Sequence, residues 1–293
     1  MPVNPRRPLI PDGLRSPAEK TCIVGILRRL EKLRRFARWR FAPGRVPLWW
    51  HIGRPNFGDD INPGFFGRLS GLSTRFASDR SRPHVVGAGS ILEHAGPSSV
   101  VCGAGFLRPP PGPVPMPARL VSVRGQLSRA AFPQAAGVLL GDPLVLVSDV
   151  VSRRPPHCSV GFVPHVLSVD RWRGWNPRRL RIIDPAASPW RVIREIAACE
   201  LVISQSLHGL IVADALGIPN VWVAPSDDMA GGRFKFDDYF STLDAAKLPV
   251  AEGPELFVHP ERYDAAVGRY LFSKADYRAA IATACAEVAA SPR

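Results

Sequence analysis

The stretch Leu201-Val202-Ile203-Ser204-Gln205-Ser206-Leu207-His208-Gly209-Leu210-Ile211-Val212-Ala213-Asp214-Ala215-Leu216-Gly217-Ile218-Pro219 decides the fold. An apolar strand runs into a polar turn carrying one histidine and then into a helix. Strand, short turn and helix in that order form the repeating unit of a parallel sheet. In open sheets of this kind the ligand crevice lies beyond the carboxyl ends of the strands. A helix N-terminus there offers free N–H groups and the positive end of a dipole to an anion. His208 falls on that turn, although a single histidine is in general more often structural than catalytic.

Outward from this unit, short apolar runs alternate with helix-like segments. The runs are 46–52, 84–92, 98–107, 119–123 and 138–147, then 159–166, 179–183, 201–204 and 220–223. The alternation predicts parallel sheets flanked by helices. Between the two groups, Ser152-Arg153-Arg154-Pro155-Pro156 is polar, proline-rich and without periodicity, which suits a hinge. The expected architecture is α/β, with two Rossmann-like doubly wound domains facing across a cleft. Their bounds are 46–151 and 156–259, with an alanine-rich helical tail at 260–293.

Residues 1–45 form a basic extension. They hold 12 of the 38 Lys and Arg against Asp12, Glu19 and Glu31, so this segment carries +9 of the net +13. A basic appendage on a nearly neutral body suggests an anchor rather than a polyanion groove. Ser16-Pro17-Ala18-Glu19 has a capping-box pattern, and Ile23, Ile26, Leu27, Leu30, Leu33 and Ala37 recur at helical spacing. A helix over 17–40 follows, with a basic face and with Phe36, Trp39 and Phe41 near its end. It suits a membrane surface, or a solvated arm packed on the body. Nucleic acid is not an expected partner, because no base-reading module accompanies the charge. No apolar run is long enough to span a membrane and no signal peptide is read. The five cysteines have no short paired spacing, so neither a disulfide framework nor a metal site is predicted, and a reducing cytoplasm fits.

Five further clusters could carry chemistry. In Asn56-Phe57-Gly58-Asp59-Asp60 a loop after a strand places two carboxylates at a helix start, where an N-cap explains Asp60 and a ligand-facing base suits Asp59. Gly87-Ala88-Gly89-Ser90 and Gly103-Ala104-Gly105 each follow a strand, and tight packing explains most of these glycines. Arg124 ends a strand where a guanidinium can grip an anion, or can simply be an exposed charge. In Gly141-Asp142-Pro143 turn chemistry accounts for every residue. Arg233-Phe234-Lys235-Phe236-Asp237-Asp238-Tyr239-Phe240 reads equally as a mobile loop over the cleft or as an amphipathic helix.

Asn56-Phe57-Gly58-Asp59, Gly87-Ala88-Gly89-Ser90, Ser122-Val123-Arg124-Gly125, Gly141-Asp142-Pro143 and Ser206-Leu207-His208-Gly209, in this order, resemble the polysaccharide pyruvyltransferase family over about residues 46–245. The resemblance implies a fold similar to the two-domain GT-B glycosyltransferases. It also implies transfer of pyruvate from phosphoenolpyruvate to a sugar of a lipid-linked repeat unit, forming a ketal and releasing phosphate, with no cofactor. Arg124 matches the family's donor-binding arginine, Leu207 and His208 its Leu-His pair, and Asp59 its early aspartate. Ser206 stands where some members carry a basic residue, and Lys235 or Arg233 is the candidate replacement. His208 is then the general acid or phosphate ligand and Asp59 the base for the acceptor hydroxyl. Arg124, Leu207, Gly209, Ser206, Asn56, Gly58, Gly89 and Lys235 form the binding set. Partners implied are phosphoenolpyruvate, a polyprenyl-diphosphate-linked oligosaccharide and an anionic membrane surface met by residues 17–41. That puts the enzyme at the inner face of the plasma membrane. The competing readings are a GT-B glycosyltransferase using a nucleotide sugar and a non-catalytic scaffold of polysaccharide assembly.

Overall fold

Short strands of Val, Ile and Leu, buried on both faces, can be satisfied only inside covered parallel sheets, and the chain builds two. A computed structural model describes residues 30, 33–135, 137–153, 155–172, 180–224 and 229–292. The first sheet comprises β1 (Val46–Trp49), β2 (Thr74–Phe76), β3 (His84–Val86), β4 (Ser99–Cys102), β5 (Arg119–Val123) and β6 (Leu139–Leu140), in the order β2-β1-β3-β4-β5-β6. The second comprises β7 (Cys158–Val163), β8 (Leu180–Ile182), β9 (Cys199–Ser204) and β10 (Asn220–Trp222), in the order β10-β9-β7-β8. Every pairing within the two sheets is parallel.

Strand order locates the ligand crevices. In the first sheet the connections leave β1 in opposite directions, β2 on one side and β3 on the other, and in the second sheet β8 and β9 flank β7 in the same way. Loops after the strands on either side of such a reversal splay apart and leave a crevice. Those loops carry residues 50–56 and 87–90 in one sheet, and 164–168 and 205–206 in the other.

The described helices are α1 (33–40), α2 (Phe57–Asp60), α3 (Asn62–Ser70), α4 (Gln126–Arg129), α5 (Val169–Trp172), α6 (Pro189–Ala197), α7 (Leu207–Ala215), α8 (Phe234–Phe240), α9 (Pro254–Val258) and α10 (Lys274–Ala290). α7 is apolar on all sides and buried throughout Leu207–Asp214, as a helix sandwiched between layers must be. α10 starts at the Ser273 cap and buries Tyr277, Ile281, Ala284, Cys285 and Val288, a stripe at helical spacing. It packs on α3 and the first sheet. Among the described residues no helix is long and apolar enough to cross a membrane.

Several expectations need correction. The run 138–147 is mostly not a strand: β6 stops at Leu140, and Pro143–Asp149 winds as a 3-10 helix. Pro143 has no N–H for a ladder, and the Asp142 carboxylate captures the Leu144 N–H at 2.9 Å. The short edge strand β2, whose Arg75 and Thr74 hide its pattern, was not expected. The segment 233–240 is a helix. The tail's long helix begins only at Lys274. Of the N-terminal helix, residues 33–40 are helical, while the capping box at 16–19, most of the turns after it and Cys22 lie outside the described residues.

α1 packs on the body by one stripe. Phe36 meets Phe76 edge-on at 5.6 Å, Trp39 meets Trp50 at 5.4 Å, and Arg35 pairs with Asp60 and the Gly53 carbonyl. Leu33 and Phe41 stay exposed.

Candidate active site

The crevices of the two sheets meet in one cavity of about 280 Å³. Its wall from the first sheet includes Asn56, Asp59 and Ser90, and its wall from the second includes His165, Ser206, Leu207 and His208, with Lys235 of α8 beside them. The two walls touch. The His208 imidazole lies over Gly58, where a Cβ would collide with Nδ1, and its ring meets Phe57 edge-on at 6.2 Å. Glycine at 58 is therefore a requirement of the contact between the sheets.

Asp59 is held by its neighbours. Asn56 caps α2 and donates from Nδ2 to Asp59 Oδ2 at 2.9 Å. Buried Asn62 donates to the carbonyls of Asp59 (2.9 Å) and Ala88 (3.0 Å) and accepts from the Ala88 N–H (2.7 Å), tying the start of α3 to the turn after β3. That turn needs Gly89, at φ 126°, whose Cβ would stand 3.4 Å from Asp59 Oδ1. Burial and the neighbouring Asp60 carboxylate push the Asp59 pKa up to about 7, against the pull of the Asn56 hydrogen bond, Lys235 and Arg35. A carboxyl poised near neutrality suits proton transfer.

Ser206 caps α7, accepting from the Gly209 N–H at 3.4 Å, so the residue that departs from the family pattern has a local task. Gly209 lets the helix start lie against Val163 and Ser204. His208, in the first turn, is pushed down to about 3 by burial and by the positive charges of Lys235 and Arg124. Lys235 is itself lowered to about 8 by burial and Arg124, opposed by Asp59. His165 falls to about 4 through burial, Lys235 and Arg54. The wall formed with the second sheet thus presents neutral imidazoles beside the Lys235 ammonium.

Arg124 stands one layer behind this wall. Its guanidinium is fully buried, paired with Asp238 at 3.0 Å, and donates to Ser90 Oγ at 2.9 Å and to the Phe106 carbonyl. Gly105 leaves the room it occupies. It reaches the cavity through Ser90 rather than as a free clamp, and it is not the exposed strand-end charge of the alternative reading. Asp238 also accepts from the Ser128 N–H (2.9 Å) and Oγ (2.6 Å), so α8 is bolted to the end of β5, with Lys235 one turn earlier on the same face.

Three residues gain roles that the sequence did not suggest. Asn62 carries no signal of its own, and Asp238 lies in a segment that reads equally as a loop or a helix. Asp142 had a sufficient explanation in its turn, yet its second oxygen, Oδ2, lies 3.8 Å from His208 Nε2.

Two parallel sheets thus meet at their strand-order reversals, with an acid, an imidazole and an ammonium around one cavity. Residues 116–227 match the family described as polysaccharide pyruvyl transferase. The chain is 30% identical over 232 residues to succinoglycan biosynthesis protein ExoV of Rhizobium meliloti (strain 1021), covering 74% of this chain and 72% of that protein. It is 27% identical over 181 residues to uncharacterized protein L143 of Acanthamoeba polyphaga mimivirus, covering 55% and 60%. The chain belongs to the polysaccharide pyruvyl transferase family and is a polysaccharide pyruvyltransferase.

Proposed function

We propose that the enzyme takes pyruvate from phosphoenolpyruvate and closes it as a ketal on a sugar of a lipid-linked exopolysaccharide repeat unit, releasing phosphate. The observation that carries this reading is the cavity itself, where Asp59, His208, Lys235 and the start of α7 converge in about 280 Å³. That volume lies just below the roughly 300–1,000 Å³ typical of drug-sized ligands. It favours a donor of about ten non-hydrogen atoms over a nucleotide sugar.

The roles follow from the environments. Lys235 and the N–H groups at the start of α7 hold the phosphate, with Arg124 lending its charge through Ser90. His208 delivers a proton to the methylene carbon, which makes C2 electrophilic. Asp59, ionised near neutrality, takes the proton from the attacking sugar hydroxyl. A second hydroxyl closes the ketal as phosphate leaves. Asn56, Gly58, Gly89, Leu207 and Gly209 shape the walls. We read the architecture as two GT-B-like units at 46–151 and 156–259, with α8 and α10 packed back on the first. The basic segment 17–41 would hold the enzyme on the anionic inner face of the plasma membrane, where a polyprenyl-linked acceptor resides.

The test is thermal stabilisation with each donor class, followed by phosphate release. Phosphoenolpyruvate should stabilise the protein and uridine or guanosine diphosphate sugars should not. Phosphate release should depend on a glycoside acceptor. Stabilisation by a nucleotide sugar alone would establish the glycosyltransferase alternative.

A further inference from the structure

His208, the group assigned as the acid, lacks a proton of its own to give. An imidazole held neutral by burial and by two flanking cations has no proton to give near neutrality, yet the methylene carbon of an enol ether needs one.

The turn after β6 offers a source. Asp142 is fully buried, its Oδ1 fixed by the Leu144 N–H at 2.9 Å, and its Oδ2 has no hydrogen-bond partner among the described residues. His208 Nε2 is sealed from solvent and equally without a partner. These two orphaned atoms face each other across 3.8 Å, about 0.6 Å or more beyond hydrogen-bond range. Buried polar atoms rarely stay unpaired, and these two point at each other from opposite sheets. The frame around them is stiff. Tyr277 of α10 donates to the Gly141 carbonyl, Tyr270 to the Leu140 carbonyl, and the imidazole is wedged between Phe57 and Gly58.

We propose that Asp142 and His208 share one proton, which in the free enzyme resides on the Asp142 carboxyl rather than on the imidazole and passes to His208 Nε2 when an anion enters the cavity. The Asp142 Oδ2–H bond breaks as the Nε2–H bond forms, leaving a carboxylate and an imidazolium. The imidazolium Nδ1–H, at the Gly58 side of the ring, then protonates the methylene carbon, and the neutral imidazole remains. On product release the pair regains one proton from solvent. Asp142 is thus a positioning and proton-holding residue that acts through His208. The step rests on the reading of the cavity as a donor-anion site.

The surrounding charges support the direction of transfer. Asp142 faces Arg124 at the end of β5, Asp59 on α2, Asp238 on α8 and Tyr277 on α10, and burial raises it to about 6. His208 faces Lys235 and Arg124. In the empty cavity those two cations repel a proton from the imidazole. An anion seated against Lys235 cancels that repulsion and adds attraction, so the proton's favoured position moves towards the cavity.

The experiment is nitrogen-15 NMR of the histidine rings in the full-length protein, with the His208 signals identified by their loss in His208→Gln and inorganic phosphate as the anion. In the wild type, His208 should be neutral and protonated on Nδ1 when free, and should become an imidazolium as phosphate saturates. In Asp142→Asn, which keeps an oxygen for the Leu144 N–H, His208 should stay neutral with phosphate bound. Turnover of phosphoenolpyruvate near neutral pH should then fall at least about 100-fold, and the high-pH limb of the rate profile should move by about one pH unit or more to the acid side. An imidazolium formed equally in Asp142→Asn, or absent from the phosphate-bound wild type, overturns the shared proton. If phosphate perturbs no ring in the wild type, the donor-site reading fails by itself. The pair is then judged on the free protein, where His208 signals unchanged by Asp142→Asn overturn it. Should Asp142→Asn not fold, the carbon-13 titration of the Asp142 carboxyl decides. It should move by about one unit or more in His208→Gln, and identical titrations reject the pair.

Discussion

Asp59 shows what a reactive carboxyl costs the fold. Its pKa is raised from 3.8 to about 7, so the folded chain holds the proton that the unfolded chain has released. Stability from this group is therefore full below about pH 4 and is lost as pH rises through about 7. Each pKa unit corresponds to about 1.4 kcal/mol, and partial opening to the cavity leaves an expected penalty of about 1–3 kcal/mol above neutrality. Asp59→Asn should melt higher than wild type near pH 8 and level with it near pH 4, while turnover falls by about 100-fold or more. Paired melting curves at the two pH values check the sign, and equal melting temperatures at pH 8 would mean that the fold does not raise this carboxyl's pKa. Turnover limited by the Asp59 base should also fall as pH drops below about 7, a limb that Asp59→Asn removes from any residual rate.

Among the elements, α8 decides most about the site. Asp238 and Lys235 share a face three residues apart, and the buried Arg124–Asp238 pair fixes that face against the end of β5. Removing one partner of a buried pair strands the other, so Asp238→Ala should cost about 3–5 kcal/mol. Asp238→Asn, which keeps an acceptor for Ser128, should lose less stability but loosen the donor, seen as a raised KM with kcat less affected. Denaturant midpoints and steady-state kinetics separate the two effects. Ser206→Ala removes a cap whose bond is long at 3.4 Å, so a loss near the low end of the capping range, about 0.5–1 kcal/mol, is expected. α8 also shows where sequence reading stops. Its aromatic and charged pattern fitted a loop or a helix equally, and nothing in 233–240 announces that Asp238 meets Arg124, more than a hundred residues earlier. For β6 and the turn after it, the proline signal is legible but the period is ambiguous, because a run of Leu and Val fits a strand as well as a 3-10 turn.

At the scale of the whole molecule, the end of the basic N-terminal region is part of the folded body. α1 is packed by Phe36 and Trp39 and joined by Arg35 to Asp60, next to Asp59. Deletion through residue 45 would therefore remove core contacts as well as charge. Deletion of residues 1–32 keeps those contacts and removes 7 of the 12 basic side chains of the extension. If the segment anchors the enzyme, this truncation should lower binding to anionic liposomes in proportion to about 1 kcal/mol per basic residue near the surface, while sparing turnover of a soluble acceptor. Liposome binding equal to that of the full chain would assign attachment elsewhere.

Sequence by itself determined the local units: parallel sheets alternating with helices, His208 on the turn after one strand, Asp59 on the turn after another, and the ordered motifs of the family. These are legible because hydrophobic period, glycine and proline act over a few residues. Tertiary structure alone decided which turns meet. It put His208 over Gly58, withdrew Arg124 behind Ser90, brought Asp142 from a turn in the first sheet to within 3.8 Å of His208, tied α8 to Arg124 at the end of β5, and folded α10 back on the first sheet. Such pairings depend on how buried layers stack and on how each buried charge finds its partner, and neither is encoded in the spacing of residues along the chain.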